Sequence, residues 1–313
     1  MTSASESVGA VSAQWDIVTG VGFTALAVAA GRAMETHRDG GLVSDPYAEA
    51  FVRAADAPIE LPTRPGESDD DPDVPWATMA RYMGVRSRYF DDYFNAAATT
   101  ASQVVLLAAG LDTRAFRLDW PAGTTIYELD APKVLAFKDR VLNERGAHPH
   151  ADRRIVAVDL REEWTKPLRA AGFDPSRPSA WLAEGLLPFL PNAAKQHLLA
   201  TVDSLTAAGS SIELEYVADL ASLRRDPEFQ QRRARMSERT GFDITQLWPD
   251  EKEDFPVDTW LRDHGWTVTV EHVDDAAQRY GAQFPEQSMF PARGGQFVTA
   301  RKPDGTQRSS DRT

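Results

Sequence analysis

The chain has 313 residues, 42% of them hydrophobic and 8 of them Trp, enough for one large core or two small ones. Its formal net charge of −13 argues against nucleic acid as a partner, because phosphate binding needs concentrated Lys and Arg. Cys is absent, which excludes disulfides, Cys-metal sites and thiol catalysis and suits a reducing, cytoplasmic setting.

Residues 1–13 are small and polar and are expected to be disordered. The run Ile17–Ala30, IVTGVGFTALAVAA, is apolar, but Glu6 and Asp16 precede it and no Lys or Arg does, so it does not read as a secretory signal. It is also too short to span a bilayer. Helical periodicity from Trp15 to about Glu35 predicts a buried or partner-facing helix. Ser44-Asp45-Pro46 reads as a cap with Pro in the first turn, starting a helix over Pro46–Ala55. Pro58–Pro75 is rich in Pro and acid and predicts a loop, in which Asp69, Asp70, Asp71 and Asp73 form a solvated run rather than a cation cage. Trp76–Ala97 returns to a helical pattern, with Met79, Tyr82, Met83, Tyr89, Phe90 and Tyr93 as its apolar positions.

From there strands and helices alternate. Strands are predicted at Val104–Ala108, Thr125–Leu129, Arg154–Val158, Ala180–Ala183 and Ser211–Tyr216. Helices are predicted near Arg114 and over Lys133–Arg145, Glu162–Ala171 and Asn192–Ala207, which implies a mostly parallel sheet. His148 and His150 lie in a polar loop and read as solvated. After a helical Val257–His264 come two strand patterns, Trp266–His272 and one within Phe290–Lys302, with no clear crossover helix between them. They predict an antiparallel pair at the sheet edge, although Val273–Pro291 has room for a short helix.

The strand ends carry the candidate site, since ligands of open α/β sheets bind at the carboxyl ends of strands. The first strand ends LLAAGLDTR, where Gly110 permits a sharp turn and close approach to a helix start. The full G-x-G-x-x-G is broken, with Ala108 at its first Gly and Thr113 at its third. The second strand ends YELD: Asp130 follows Gly110 at the distance where an acid reaches a ribose, with Glu128 as a rival of the same parity. The third ends VAVDL, where Asp159 and the Leu160 N–H could read an adenine or Asp159 could cap a helix. The fourth ends WLAEGLLPFLP, where Glu184 either meets a cationic ligand group or is simply a paired, buried acid.

The segments LAAGLDTRAFRLDWPAGTTIYELDAPKVLAFK, VAVDLR and WLAEGLLPFLP together resemble the mycobacterial S-adenosyl-L-methionine-dependent methyltransferases, relatives of the leucine carboxyl methyltransferases. The resemblance runs from WDIVTGVG at Trp15 to the final FVTA strand. It implies a Rossmann-like α/β fold with a seven-stranded methyltransferase sheet, five parallel strands plus an antiparallel edge pair, under an N-terminal helical cap. The cap would cover 14–100, the S-adenosyl-L-methionine-binding core 101–302 and a disordered tail 303–313. Carried over by position, Arg86 would pair with the cofactor carboxylate, with Arg88 a rival on spacing. Gly110 would lie beneath the methionine part, Asp130 would hold the ribose, Asp159 and Leu160 would meet the adenine, and Glu184 would bind the methionine amine.

Relatives often read GAG where this chain has Ala108-Ala109-Gly110, and EGLLMYLP where it has Pro188 and Phe189. The second departure bears on the acceptor pocket. The implied reaction is O-methylation of a carboxylate on a small or lipid-like acceptor, needing no general base because a carboxylate is already ionised. The N-terminal helices and the Pro58–Pro75 loop would form a lid, with the aromatics of Trp76–Tyr93 lining the pocket. A nicotinamide-dependent dehydrogenase and a catalytically inactive binding module remain alternatives. A DNA methyltransferase is disfavoured by the acidic charge and by Glu-Gly at the fourth strand end.

Overall fold

A computed structural model of the chain describes residues 21–57, 59–67, 75–218, 220–240, 243–284 and 294–304. The acidic run Asp69–Asp73, the N-terminal 1–13 and all of the expected tail 303–313 but its first two residues lie outside the described residues. Three helices precede the sheet: α1 (Val21–His37), α2 (Ala48–Ala54) and α3 (Trp76–Ala97). The alternating part follows as β1 (Gln103–Leu107), α4 (Arg114–Arg117), β2 (Thr125–Asp130), α5 (Pro132–Glu144), β3 (Asp152–Ala157), α6 (Thr165–Ala170), β4 (Ser179–Ala183), α7 (Asn192–Leu205) and β5 (Ser211–Val217). Then come α8 (Leu220–Arg225), α9 (Pro227–Thr240), α10 (Val257–Asp263), β6 (Thr267–His272), α11 (Val273–Arg279) and β7 (Gly295–Arg301).

The seven strands lie in the order β3-β2-β1-β4-β5-β7-β6. β1 to β5 pair in parallel, while β7 runs antiparallel to both β5 and β6. The expected layout of five parallel strands and an antiparallel edge pair is therefore present. Because the chain leaves β1 first towards β2 and later returns to β4 on the other side, the carboxyl ends of β1 and β4 flank the crevice where such sheets bind ligands.

The sequence explains which strands sit inside. β1, β4 and β5 are buried along their whole length, whereas β3 and β6 show mixed burial as edge strands do. Alternate residues feed two apolar layers. Val104, Leu106, Ala180 and Leu182 face α1, α3 and α11; Val105, Leu107, Trp181 and Ala183 face α6, α7 and α10. Helices α1 and α3 cross closely: a Cβ on Gly31 would stand 2.6 Å from Met83 Cγ, and one on Gly84 2.5 Å from Glu35 Oε1.

Several boundaries move from those expected. The Asp45 carboxylate accepts from the Tyr47 and Ala48 N–H groups, so α2 starts at Ala48 rather than at Pro46. Helix α6 starts at Thr165 rather than Glu162, because the Glu163 side chain accepts the N–H groups of Thr165 and Lys166. The short α11 does lie between the two late strands, and α8 and α9 fill a stretch where no helix was expected.

Against α3, the inner face of β5 presents a buried carboxyl, Glu213. Its Oε2 accepts a 2.6 Å bond from Thr299 Oγ1, while Oε1 is buried without a hydrogen-bond partner. Burial pushes its pKa up to about 8, from an ordinary 4.5. A carboxyl raised in this way contributes fully below pH 4.5, and the contribution is lost as pH climbs through about 8. Glu213→Gln should therefore unfold at higher urea than the parent at pH 8.5, with the gap closing towards pH 5. Parallel pH profiles for the two proteins would contradict this account.

Candidate functional site

A cavity of about 670 Å³ opens over the carboxyl ends of β1 to β4. Arg86, Gly110, Asp130, Asp159, Leu160 and Glu184, drawn from five separate elements and loops, all line it. Arg88 does not: it stands on the outer side of α3, half-exposed, paired with Asp92 at 2.9 Å and stacked over Tyr280. Glu128, two residues back on the same face of β2, does not reach it and is fully buried between Lys138 and Arg153 at 2.7 Å each.

The turn after β1 is built by two left-handed residues, Ala108 at φ 52° and Gly110 at φ 47°. Strand β1 is extended past its end by Ala109 N–H donating to Leu129 O at 2.9 Å. Gly110 N–H then donates to Asp130 Oδ2 at 2.6 Å, and Ala131 N–H donates to Oδ1 at 2.6 Å. Asp130 thus clamps the β1 turn to the end of β2, a task the spacing of the two residues did not reveal. Burial raises the Asp130 pKa and the two N–H bonds only partly oppose it, so the net shift is upward.

Glu184 lies between two guanidinium groups. Arg86 Nε donates to Oε1 at 2.7 Å, and Arg114 Nη1 donates to Oε2 at 2.7 Å. Burial works to raise its pKa, but Arg114, Arg86 and Arg32 outweigh it and hold the carboxylate at about 2. The paired-acid reading and the cavity-lining reading of Glu184 are both true of it. Behind the pair, Arg86 Nη1 donates to Glu215 on β5 at 3.1 Å, and Glu215 also accepts the Gly185 N–H at 2.7 Å and the Tyr82 hydroxyl. Arg114 Nε and both Nη groups of Arg117 converge on Asp91 of α3, and Asp112 closes the cluster on Arg114. Arg32 of α1 reaches the same turn, donating to Asp45 at 2.9 Å and to Leu111 O at 2.7 Å.

At the end of β3, Asp159 is part-exposed and holds Arg161, whose side chain and backbone N–H both donate to it. That hydrogen bonding with Arg161 lowers the Asp159 pKa. The alternative reading of Asp159 as a helix cap does not hold, since α6 begins six residues on and is served by Glu163.

Two expectations about the cavity change. The aromatics of α3 do not line it: Tyr89 stacks on Phe297 at 4.2 Å, and Tyr93 donates to Trp181 O while meeting Ser211 Oγ at 2.9 Å. Their helical stripe faces the sheet, and α3 gives the cavity Arg86 alone. Of the lid elements, α1 does cover the site through Gly22, Thr24, Ala25, Val28 and Arg32, whereas no described residue of the 58–75 loop reaches it. Arg32, Asp112, Arg114 and Arg117 line the cavity but were not singled out from sequence. Arg114 and Asp112 stood in the GLDTR segment, where the only available signal was their membership of a recurring motif.

The chain is similar to proteins already known. Residues 25–203 match the family described as leucine carboxyl methyltransferase. The chain is 44% identical over 290 residues to a Saccharopolyspora erythraea protein named as an S-adenosyl-L-methionine-dependent methyltransferase, covering 92% of this chain and 98% of that one. It is 46% identical over 294 residues to a Mycobacteroides abscessus protein of the same description, covering 92% and 94%. Among solved structures, a "possible exported protein" from Bordetella parapertussis shares the fold at a TM-score of 0.52 and 14% identity, covering 95% of this chain and all (100%) of that one.

Ala108 is the one described non-glycine residue with positive φ. A left-handed alanine costs about 1–2 kcal/mol, and glycine forfeits part of that relief in unfolded-state entropy, about 0.5–1 kcal/mol. Ala108→Gly should raise stability by about 0.5–1 kcal/mol, read as a higher urea midpoint at unchanged m-value. A lower midpoint would show that the turn is not strained.

Proposed function

The chain belongs to the leucine carboxyl methyltransferase family and is an S-adenosyl-L-methionine-dependent methyltransferase, and from that premise we propose that it methylates a carboxylate oxygen of a small or lipid-like acceptor. What carries this reading is the state of the cavity's own acids. Asp112 is taken by Arg114, Asp130 by two backbone N–H groups, Asp159 by Arg161, and Glu184 by two arginines. Glu184, held at about 2, is a poor proton acceptor, Asp130, whose pKa burial raises, has a backbone N–H on each oxygen, and among the described lining residues there is no His, Lys or Tyr. Methyl transfer to an alcohol or amine calls for a base; transfer to a carboxylate does not.

The residues present suit the cofactor. Bound S-adenosyl-L-methionine would supply a methyl group made electrophilic by a sulfonium. Asp130 keeps lone pairs for the ribose hydroxyls, and Asp159 with the Leu160 N–H would meet the adenine. Gly110 leaves room: a Cβ there would have nothing nearer than 3.8 Å, so space exists between the turn and Ala25 of α1. The Arg86–Glu184 ion pair is complementary to an amino-acid zwitterion, with Glu184 towards the ammonium and Arg86 towards the carboxylate. Arg86 Nη2 points to Gly185, 3.8 Å from where a Cβ would sit. The chain's part is to bind, orient and exclude water. No described helix is long and apolar enough to cross a membrane, and a chain without Cys accords with action in the cytoplasm.

Calorimetry tests the ribose assignment. Charge-assisted hydrogen bonds contribute about 1.5–3 kcal/mol, so Asp130→Ala should weaken S-adenosyl-L-methionine binding about tenfold or more. Asp130→Asn, which retains an oxygen for the Gly110 N–H, separates ribose contact from turn geometry by losing less. Parental affinity in Asp130→Ala would sink the assignment. Carboxyl specificity is read from the product: a methyl ester releases labelled methanol in mild alkali, whereas an ether or methylamine does not.

A further inference from the structure

We infer that the cavity has a second, apolar compartment bounded by Val28, Phe189, Leu190 and Leu247, and that it takes a monocarboxylic acid with an uncharged, apolar body. This rests on the methyl-transfer reading of the same cavity. Charge in the lining is gathered at the strand ends and the β1 turn, where each arginine is matched by a carboxylate. The remaining lining comes from the first turns of α1, the segment Leu186–Ala194 and the turn Ile244–Leu247. Among the described residues, its only polar side chains are Thr24 and Gln246, both uncharged.

This wall is held in place. Phe189 packs against a separate small cluster of Val217, Leu220, Phe229 and Trp248, in which the Phe229 and Trp248 rings stack within 9° of parallel. The turn carrying Gln246 and Leu247 is pinned by Asp243, which accepts from Thr245 N–H at 3.0 Å and Oγ1 at 2.8 Å. Arg233 of α9 in turn donates to Asp243 at 2.8 Å and to Thr245 Oγ1 at 2.7 Å. Val28, Phe189, Leu190 and Leu247 are each half-buried, so apolar area remains for a ligand to cover.

A second charge on the acceptor would lose its water in this compartment and gain no partner. The reacting carboxylate needs none from the protein, because it meets the sulfonium. An oxygen electron pair forms the O–CH3 bond as the S–CH3 bond breaks, the pair of that bond stays on sulfur, and no proton moves. The subsite therefore selects for one acid group on an apolar frame.

The test uses the full chain with methyl-labelled S-adenosyl-L-methionine and a panel of aliphatic and aryl monocarboxylates of rising apolar size, the matching dicarboxylates, and a peptide ending in leucine. Base-labile methyl ester should form on the monocarboxylates, with kcat/KM rising with apolar size. Preference for dicarboxylates or for the peptide overturns the inference, as does failure of every monocarboxylate by protein that binds S-adenosyl-L-methionine calorimetrically. Absence of that binding instead overturns the reading on which it rests. Removing methylenes from an apolar pocket is felt at about the tenfold level, so Leu247→Ala should raise KM for the best monocarboxylate about tenfold while leaving cofactor affinity unchanged. Leu247→Met should recover most of the loss, and an unmoved KM in Leu247→Ala counts against the subsite.

Discussion

Glu184, shared between Arg86 and Arg114, ties together four elements that are distant in sequence. Through these contacts α3, α4, β4 and β5 are fixed at the crevice. Buried ion pairs give up hydration and recover it only with good geometry and full hydrogen bonding. Here the geometry is close to ideal, with nitrogen–oxygen contacts of 2.7 Å on each carboxylate oxygen. Three guanidinium groups, on Arg86, Arg114 and Arg117, face four carboxylates on Asp91, Asp112, Glu184 and Glu215. The neighbouring Arg32–Asp45 pair adds no net charge. The surplus is one negative charge in a low-dielectric site, which favours a ligand carrying net positive charge. A sulfonium attached to an amino-acid zwitterion has that charge.

The same economy governs the turn after β1. Asp130 holds Gly110 by one oxygen and its own helix start by the other, so the sheet end is preorganised before any ligand arrives. Ala108 tolerates a left-handed conformation because Ala109 N–H is committed to Leu129 O and Gly110 N–H to Asp130. Strain at one residue is offset by two well-formed hydrogen bonds on its neighbours. The broken glycine pattern thus reports a turn with different internal bonding, not a missing turn.

Much of this was legible in the chain. The strands announce themselves through β-branched and aliphatic runs, and α3 through apolar spacing that runs from Trp76 to Ala97. Asp130 and Glu184 could be picked out because position at a strand's carboxyl end is a sequence property. What periodicity does not encode is the partner of a face. The α3 aromatics share a stripe, as expected, yet that stripe meets β5 and β7 instead of the cavity. Arg114 and Glu215 acquire their roles from contacts 70 and 129 residues away, which no local pattern records. Helix α9 was missed because its sequence, PEFQQRRARMSERT, carries only Phe229, Ala234 and Met236 as apolar residues, and α11 was legible only as room for a short helix because seven residues give too few turns to show a stripe.

The division of the cavity into a charged half and an apolar half has a chemical consequence. Every described arginine of the charged half already carries a carboxylate partner, so the described lining offers an acceptor anion no uncommitted cation. Under the proposed carboxylate chemistry, the positive charge that would draw the acceptor is the sulfonium of bound S-adenosyl-L-methionine, a charge that methyl transfer would remove. Attraction would then exist only while the methyl group is still to be transferred. An ester product, being neutral, would keep only apolar contacts in the proposed subsite, against Phe189, Leu190 and Leu247. On that proposal, substrate capture and product release would both follow from one change of charge, without a moving base or a proton to dispose of.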